Sequence, residues 1–348
     1  MRTNIAIALT ILLLVGLLVL MQPGEPPDGT DESQVVVVYC AHDASFARPI
    51  IDEFERRSGI RVEVRYDEEA SKSLGLTRLL EAEKENPRCD VFWNNQTLGT
   101  MRLQALGTLQ PYVSPNAERI GSRFKDPDGY WTGFAGRLRV WLLNTGHVSP
   151  ANEETIRQIL AGDSLRRVTI AKAQFGTTLS HYSVIAGLTS LRDLQTWHHD
   201  LIDRGIRVVR GNSMTRDLVA EGVCDLGFTD TDDAFGAIDS GHPVKMLPVR
   251  VGPDSQTICI PNSVAMIKHC PHPDAAKAFI DYLLRPETEL RLAKSSSRQI
   301  PLGEVESESV PQEVRGLQDW AADAIDLSAA ADVNSHVLEW LTSEYIEK

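Results

Sequence analysis

With 348 residues, 42% of them apolar and 24% charged, the chain has the length of two ordinary domains and, outside its N-terminus, the composition of a soluble globular protein. Its formal charge of −13 argues against nucleic acid as a partner, because phosphate binding rests on Lys and Arg clusters that are absent here, and suits cationic or neutral ligands. Five cysteines (Cys40, Cys89, Cys224, Cys259, Cys270) fall at no C-x-x-C spacing, so there is no zinc ribbon or thioredoxin motif, and an odd count leaves at least one without a partner in the chain.

The segment from Ile5 to Met21 carries no charge and, at about 17 residues, reaches the lower limit for a bilayer-spanning helix. No small-residue cleavage site follows it and no cysteine stands there to take a lipid. Residues 1–21 are therefore expected to be a signal anchor rather than a cleaved signal peptide. Arg2 puts the N-terminus in the cytoplasm and the rest outside, a periplasmic chain tethered to the inner membrane. Residues 22–34 (QPGEPPDGTDESQ), rich in Pro, Gly and acid, read as a flexible linker.

The run Val35 to Tyr39 is β-branched, too short for a helix and apolar on both faces, as in a central strand of a parallel sheet. A helix follows, with Phe46, Ile50 and Phe54 four apart and Gly59 to close it. Ile60–Tyr66 alternates as a second strand, Leu76, Leu79 and Leu80 mark a second helix, and Cys89–Trp93 is another buried strand. Arg137–Asn144 is a long strand, Arg167–Ala171 and Ile206–Val209 are shorter ones, Ser213–Glu221 is a helix stopped by Gly222, and Val223–Phe228 is again a strand. Thr257–Ile260 and Ser263–Ile267 are strands, Pro273 opens an amphipathic helix with Ala275, Phe279, Tyr282 and Leu283 on one face, and the tail from Val310 is helical. This order predicts an α/β fold of two doubly wound lobes joined by crossing hinge strands, with a ligand cleft between them: residues 35–136 and 258–348 in lobe 1, residues 137–257 in lobe 2.

In such a fold ligands lie beyond the carboxyl ends of the strands. That rule selects His42 and Asp43 after the first strand, Asn95 after Trp93, and Thr177 and Thr178 after Ala171. It also selects the acidic motif Asp230-Thr231-Asp232-Asp233 after Phe228. One of Asp230, Thr231 or Asp232 is expected to cap the following helix, but one cap does not need three carboxylates. The same D-x-D admits a metal-dependent phosphatase with Asp230 as nucleophile and Asp232 as acid/base, although no later Lys and paired-Asp set completes that site. His269-Cys270-Pro271-His272 reads as a structural turn, His198 and His199 as a solvated helix face, and Trp93 as core packing.

The ordered set "VVVYCAHDASFARPIIDEFERRSGIRVEVRY", "CDVFWNNQT", "FAGRLRVWLLNT", "RGNSMTRDLVAEGVCDLGFTD" and "PDAAKAFIDYLLRPE" resembles the extracytoplasmic solute-binding proteins of ABC importers, in particular the ferric-ion-binding branch. The resemblance implies a monomeric, hinged, non-enzymatic binder that closes on a small solute and presents it to an ABC permease. In the iron binders a histidine, a carboxylate and two adjacent tyrosines hold the metal. The corresponding positions here are Asp43, Asn95 and Thr231-Asp232, so none of the four expected ligands is kept. Arg137, with Thr177 and Thr178 at a helix start, matches where that family holds an accessory anion. No cofactor is assigned from the residues, and a bound metal ion stays among the alternatives. A metal ion bound by Asp43, Asp230, Asp232 or Asp233 and an organic cation or zwitterion paired with the same carboxylates both remain open.

Overall fold

The computed structural model describes residues 35–67 and 73–346. The expected membrane segment and linker lie outside the described residues, and among those described no helix is long and apolar enough to cross a membrane. In chain order the elements are β1 (Val35–Cys40), α1 (Ala44–Ser58), β2 (Arg61–Tyr66), α2 (Leu74–Ala82), β3 (Val91–Asn94), α3 (Leu98–Ala105), β4 (Leu109–Gln110) and β5 (Thr132–Asn144). Then follow α4 (Glu153–Ala161), β6 (Val168–Ala171), α5 (Gly176–Leu188), α6 (Leu191–Asp203), β7 (Arg207–Val209), α7 (Asn212–Ala220), β8 (Leu226–Asp230) and α8 (Thr231–Asp239). The chain continues through β9 (Val244–Pro248), β10 (Arg250–Val251), β11 (Gln256–Thr257), β12 (Cys259–Ile267), α9 (Pro273–Leu283), α10 (Pro286–Lys294), α11 (Gln312–Ala322) and α12 (Ser328–Ile346).

One path of strands runs β2-β1-β3-β12-β5-β8-β6-β7, with β4 beside β12 and β9 beside β5. At one end β1 is parallel to β2 and β3, and at the other β6 is parallel to β7 and β8. The β-branched runs explain the parallel cores: Val36 and Val38 of β1 and Val168 and Ile170 of β6 are buried, because helices cover both sheet faces. Between these halves β5 and β12 run antiparallel. Along Thr132–Leu138 strand β5 pairs with β12, and along Arg139–Asn144 it pairs with β8 and β9. The strand is thus longer than the Arg137–Asn144 stretch expected, and it passes from one half of the sheet to the other between Leu138 and Arg139.

Helix α1 ends as its sequence predicts, with Gly59 at φ 75° returning its N–H to the Glu55 carbonyl at 2.9 Å. Helix α12, expected with lobe 1, packs instead on α5 and α6 and places Val337 and Leu341 in the second core. The cause lies in α5, which is buried on nearly all sides and needs an apolar cover. His198, expected at the surface, is buried under that cover, where its Nδ1 lies 3.0 Å from the Tyr182 hydroxyl. All five cysteines are buried thiols outside any disulfide. His272 is structural as expected: its Nδ1 and its backbone N–H meet the fully buried Asp90 carboxylate at 2.8 and 2.7 Å.

Candidate functional site

The carboxyl ends of β1, β3, β6, β7 and β8 carry the loops that hold His42 and Asp43, Asn95, Thr177 and Thr178, Asn212, and the acidic motif. Strand β5 runs between these groups and offers Arg137 and Arg139. Two apart on a strand, both side chains leave the same face of the sheet.

Arg139 is fully buried and its Nη1 donates to Asp230 Oδ1 at 2.7 Å. The other Asp230 oxygen accepts from Thr177 Oγ1 at 2.5 Å and from Asn212 Nδ2 at 2.9 Å. Thr178 Oγ1 donates in turn to Asn212 Oδ1 at 3.2 Å. Asp230 occupies the N-cap position of α8, yet its side chain makes no cap bond, because Arg139 is the stronger, charge-assisted partner. The cap expectation is thereby corrected for this residue. Thr231 is fully buried as well, and its hydroxyl accepts the Leu138 N–H of β5 at 3.3 Å, so it braces α8 against the crossing strand.

Asp232 and Asp233, in the first turn of α8, are different. Their side chains keep 19% and 16% of their surface exposed. Arg137 Nη1 donates to Asp232 Oδ2 at 3.2 Å, and Arg137 Nη2 donates to the Asn95 carbonyl at 2.6 Å. Asp233 accepts from Thr229 Oγ1 at 3.1 Å and has Arg216 only at 3.9 Å. Burial, and then the neighbouring Asp232 and Asp230, push the Asp233 carboxyl well above the usual carboxylate range. Burial also raises Asp232, against the pull of Arg137. Burial alone would lower Arg137, but Asp232, Asp230, Asp43 and Asp233 together outweigh it and hold that guanidinium above its ordinary value.

The remaining expected residues come from the turn after β1 and from β3. His42 is buried, its ring 5.5 Å from that of Trp93, and its Nε2 accepts from Gln299 Nε2 at 3.3 Å. Asp43 is half-buried and close enough to Arg137 and Asp232 to act on both. Trp93 is core, as expected. A cavity of about 550 Å³ lies apart from the acidic motif, against Thr97, Trp131, Pro261 and Leu327, and shares none of its carboxylates.

The structure brings the predicted residues together with a pairing of its own: Arg139, not Arg137, meets Thr177, and the Thr177 hydroxyl donates to Asp230. The phosphatase reading is not supported, since Asp230 is 2% exposed and both of its oxygens are already engaged. Sequence reasoning missed Arg139, Asn212, Arg216 and Gln299. The alternation Arg137-Leu138-Arg139 was a usable sign for the first, and the position of Asn212 at a helix start after a strand for the second. Gln299 lies 257 residues from His42 and leaves no local sign.

The model for bacterial extracellular solute-binding proteins matches residues 36–295. Iron uptake protein A1 of Synechocystis sp. is 23% identical over 309 residues, covering 85% of each chain. Among solved structures, iron-bound HitA from Pseudomonas aeruginosa superposes with a TM-score of 0.76 at 15% identity, over 88% of this chain and 99% of that one. The periplasmic binding protein AfuA from Actinobacillus pleuropneumoniae, with fructose-6-phosphate bound, gives a TM-score of 0.70 at 18% identity, over 89% and 98%. One fold thus holds a metal in one neighbour and a sugar phosphate in another, and the ligand has to be argued from each chain's own side chains. With the match spanning both halves of the sheet and all of the strand ends described above, the chain belongs to the family of bacterial extracellular solute-binding proteins.

Proposed function

We propose that the chain is the solute-binding component of an ABC importer, tethered outside the cytoplasmic membrane by residues 1–21, and that its cleft captures a small cation. The observation that carries this reading is the convergence of the Asp232 and Asp233 carboxylates beside the braced Asp230, one oxygen of each of the three lying within 4.8 Å of the others. Asp230 is held by Arg139, so Asp232 and Asp233 are the carboxylates left to receive a ligand. Their raised proton affinity is that of two acids waiting for a positive charge, and a cation would replace the proton that burial otherwise favours. An all-oxygen, carboxylate set suits a hard metal ion. The names of the iron-uptake and iron-bound relatives point the same way, while the absence of a tyrosine pair at Thr231-Asp232 means a site of different strength and shape. The Arg137 guanidinium beside Asp232 favours a second reading, an organic ammonium compound, because it already neutralises part of the acid a metal would use.

Capture works without chemistry: contacts from both lobes make the arrangement with the two sides together the better binder, so a bound solute holds the molecule in the form presented to the permease. Melting the purified protein with ferric nitrilotriacetate, manganese(II), spermidine and fructose-6-phosphate tests the reading. A saturating ligand at about 100 times its Kd adds about 2.7 kcal/mol to stability. A shift with a metal supports the first reading and a shift with spermidine alone supports the second. A shift with the sugar phosphate alone, or with none of them, sinks both.

A further inference from the structure

The segment after α10 touches the cleft, the crossing strands and the second lobe within three consecutive residues. Ile300 bridges Gly136 of β5 through paired backbone bonds of 2.7 and 2.8 Å. Gln299 is buried, donating to His42 Nε2 at 3.3 Å and accepting from Asn262 Nδ2 at 2.7 Å. Asn262 Nδ2 also donates to the Ala135 carbonyl at 2.5 Å. That contact falls where β5 and β12 slip register between Pro261 and Asn262 and where Ala135 is held at φ 45°. A non-glycine residue in the left-handed region persists only where its surroundings enforce it, and here Asn262 takes its carbonyl while buried Glu289 accepts its N–H at 2.7 Å.

Arg298 is itself at φ 43° and points the other way. Its Nη1 and Nη2 form a fork on Asp239 at 2.6 and 2.9 Å, its Nε donates to Glu313 at 3.0 Å, and its guanidinium lies 4.9 Å over the Phe235 ring. Asp239 is the last residue of α8, the helix whose first turn carries Asp232 and Asp233. Glu313 belongs to α11. One arginine thus ties the far end of the ligand-bearing helix to the half of the molecule that holds His42.

We infer that Arg298 and Gln299 form a clasp that couples the cleft to the crossing strands: Gln299 positions His42 against the β5 bulge, and Arg298 holds α8 in the arrangement that turns Asp232 toward Arg137 and Asn95. Neither residue touches the solute. Both act by setting how much of the population has the two sides of the cleft together, so their loss reduces apparent affinity by the fraction of competent molecules lost. The clasp rests on the hinged-cleft reading but not on the identity of the ligand.

Two measurements on the full-length protein separate these questions. Spin labels at Glu85→Cys and Asp163→Cys, exposed sites on either half, report the distance between halves with no ligand present. The clasp predicts one narrow distance population in the otherwise wild-type chain. In Arg298→Ala and Asp239→Ala it predicts a second, displaced population, with Arg298→Lys partly restoring the first. Titration with ferric nitrilotriacetate then reads about tenfold weaker binding in the same variants, with Gln299→Ala losing affinity in the same direction. Asp239 is half-exposed, so its alanine variant keeps the test alive if Arg298→Ala does not fold. Unchanged distance distributions in folded Arg298→Ala and Asp239→Ala overturn the clasp, including when their melting points fall. If the wild-type chain ignores the ferric probe, the metal reading fails while the distances still decide the clasp.

Discussion

Asp230 and the pair Asp232-Asp233 sit within one motif and differ in almost every physical respect. Asp230 is sealed from solvent and surrounded by the Arg139 guanidinium, the Thr177 hydroxyl and the Asn212 amide. Asp232 and Asp233 retain some exposure and carry raised proton affinities that Arg137 and Thr229 only partly offset. A carboxylate whose donors are all supplied by the protein is a structural element, whereas one whose charge is under-compensated at an opening is a receptor for positive charge. The three aspartates of the motif therefore divide into a buried brace and a pair to which we assign, as a proposal, the binding role.

The largest effect should come from breaking the brace. Arg139→Ala or Asp230→Ala leaves one buried charge without its partner, at a cost of about 3–5 kcal/mol, visible as a lower urea midpoint. The double variant Arg139→Met/Asp230→Leu should lose much less than the sum of the two, since it buries no orphaned charge. Strict additivity would mean that the pair is not a unit. On the other side of the comparison, Asp232→Asn or Asp233→Asn should weaken metal binding about 100-fold, roughly 2.7 kcal/mol, while leaving the fold intact. Equal binding by both variants and wild type in a calorimetric titration would remove the pair from the site.

A smaller effect tests the electrostatic contrast directly. Asp233 has its carboxyl raised by burial and by Asp232 and Asp230, so its favourable contribution is fully present below the ordinary unfolded carboxyl value, about 3.9, and is lost as pH rises through its higher folded value. In the ligand-free protein this group therefore adds stability as the pH falls from neutral, opposite to the usual acid trend. Asp233→Asn, whose amide oxygen can still accept from Thr229, should raise neutral-pH stability by about 1 kcal/mol and remove that component from the pH profile. Bound cation should do the same by holding the group ionised. A variant that is less stable at neutral pH, with an unaltered profile, contradicts the assignment.

Much of the fold was legible in the chain because it rests on local signals. The valine run of β1, the four-residue spacing of α1 closed by Gly59, and the strand-end rule place most of the loops that carry the candidate residues. What local signals could not convey was which side chain meets which. Arg137 and Arg139 are chemically identical and lie on one face, and only the register of β5 against β8, with Arg139 opposite Asp230, decides which of them takes the buried carboxylate. The cover that buries His198 comes from Trp340 and Tyr345 of α12, more than a hundred residues away, so a helix face that looks polar in isolation becomes interior. Gln299 shows the same limit, since its contacts with His42 and Asn262 depend on where the segment after α10 returns to the sheet.

Thr231 gives the smallest test and the sharpest boundary between the two regions. It stands between Asp230 and Asp232 and, by resemblance, at a position where the iron binders place a metal-binding tyrosine. Its hydroxyl, however, is fully buried and accepts from the Leu138 N–H at 3.3 Å. Thr231→Ala should then leave a buried amide without its acceptor, a loss of about 1 kcal/mol, with Thr231→Ser close to wild type. Metal affinity should change less than about twofold in either variant, a difference well under 1 kcal/mol. A tenfold loss of affinity in Thr231→Ala at unchanged stability would move the residue to the binding side and shift the boundary by one position. The expected result instead puts that boundary at the first peptide bond inside α8, where the chain passes from the buried Thr231, hydrogen-bonded to β5, to the partly exposed Asp232.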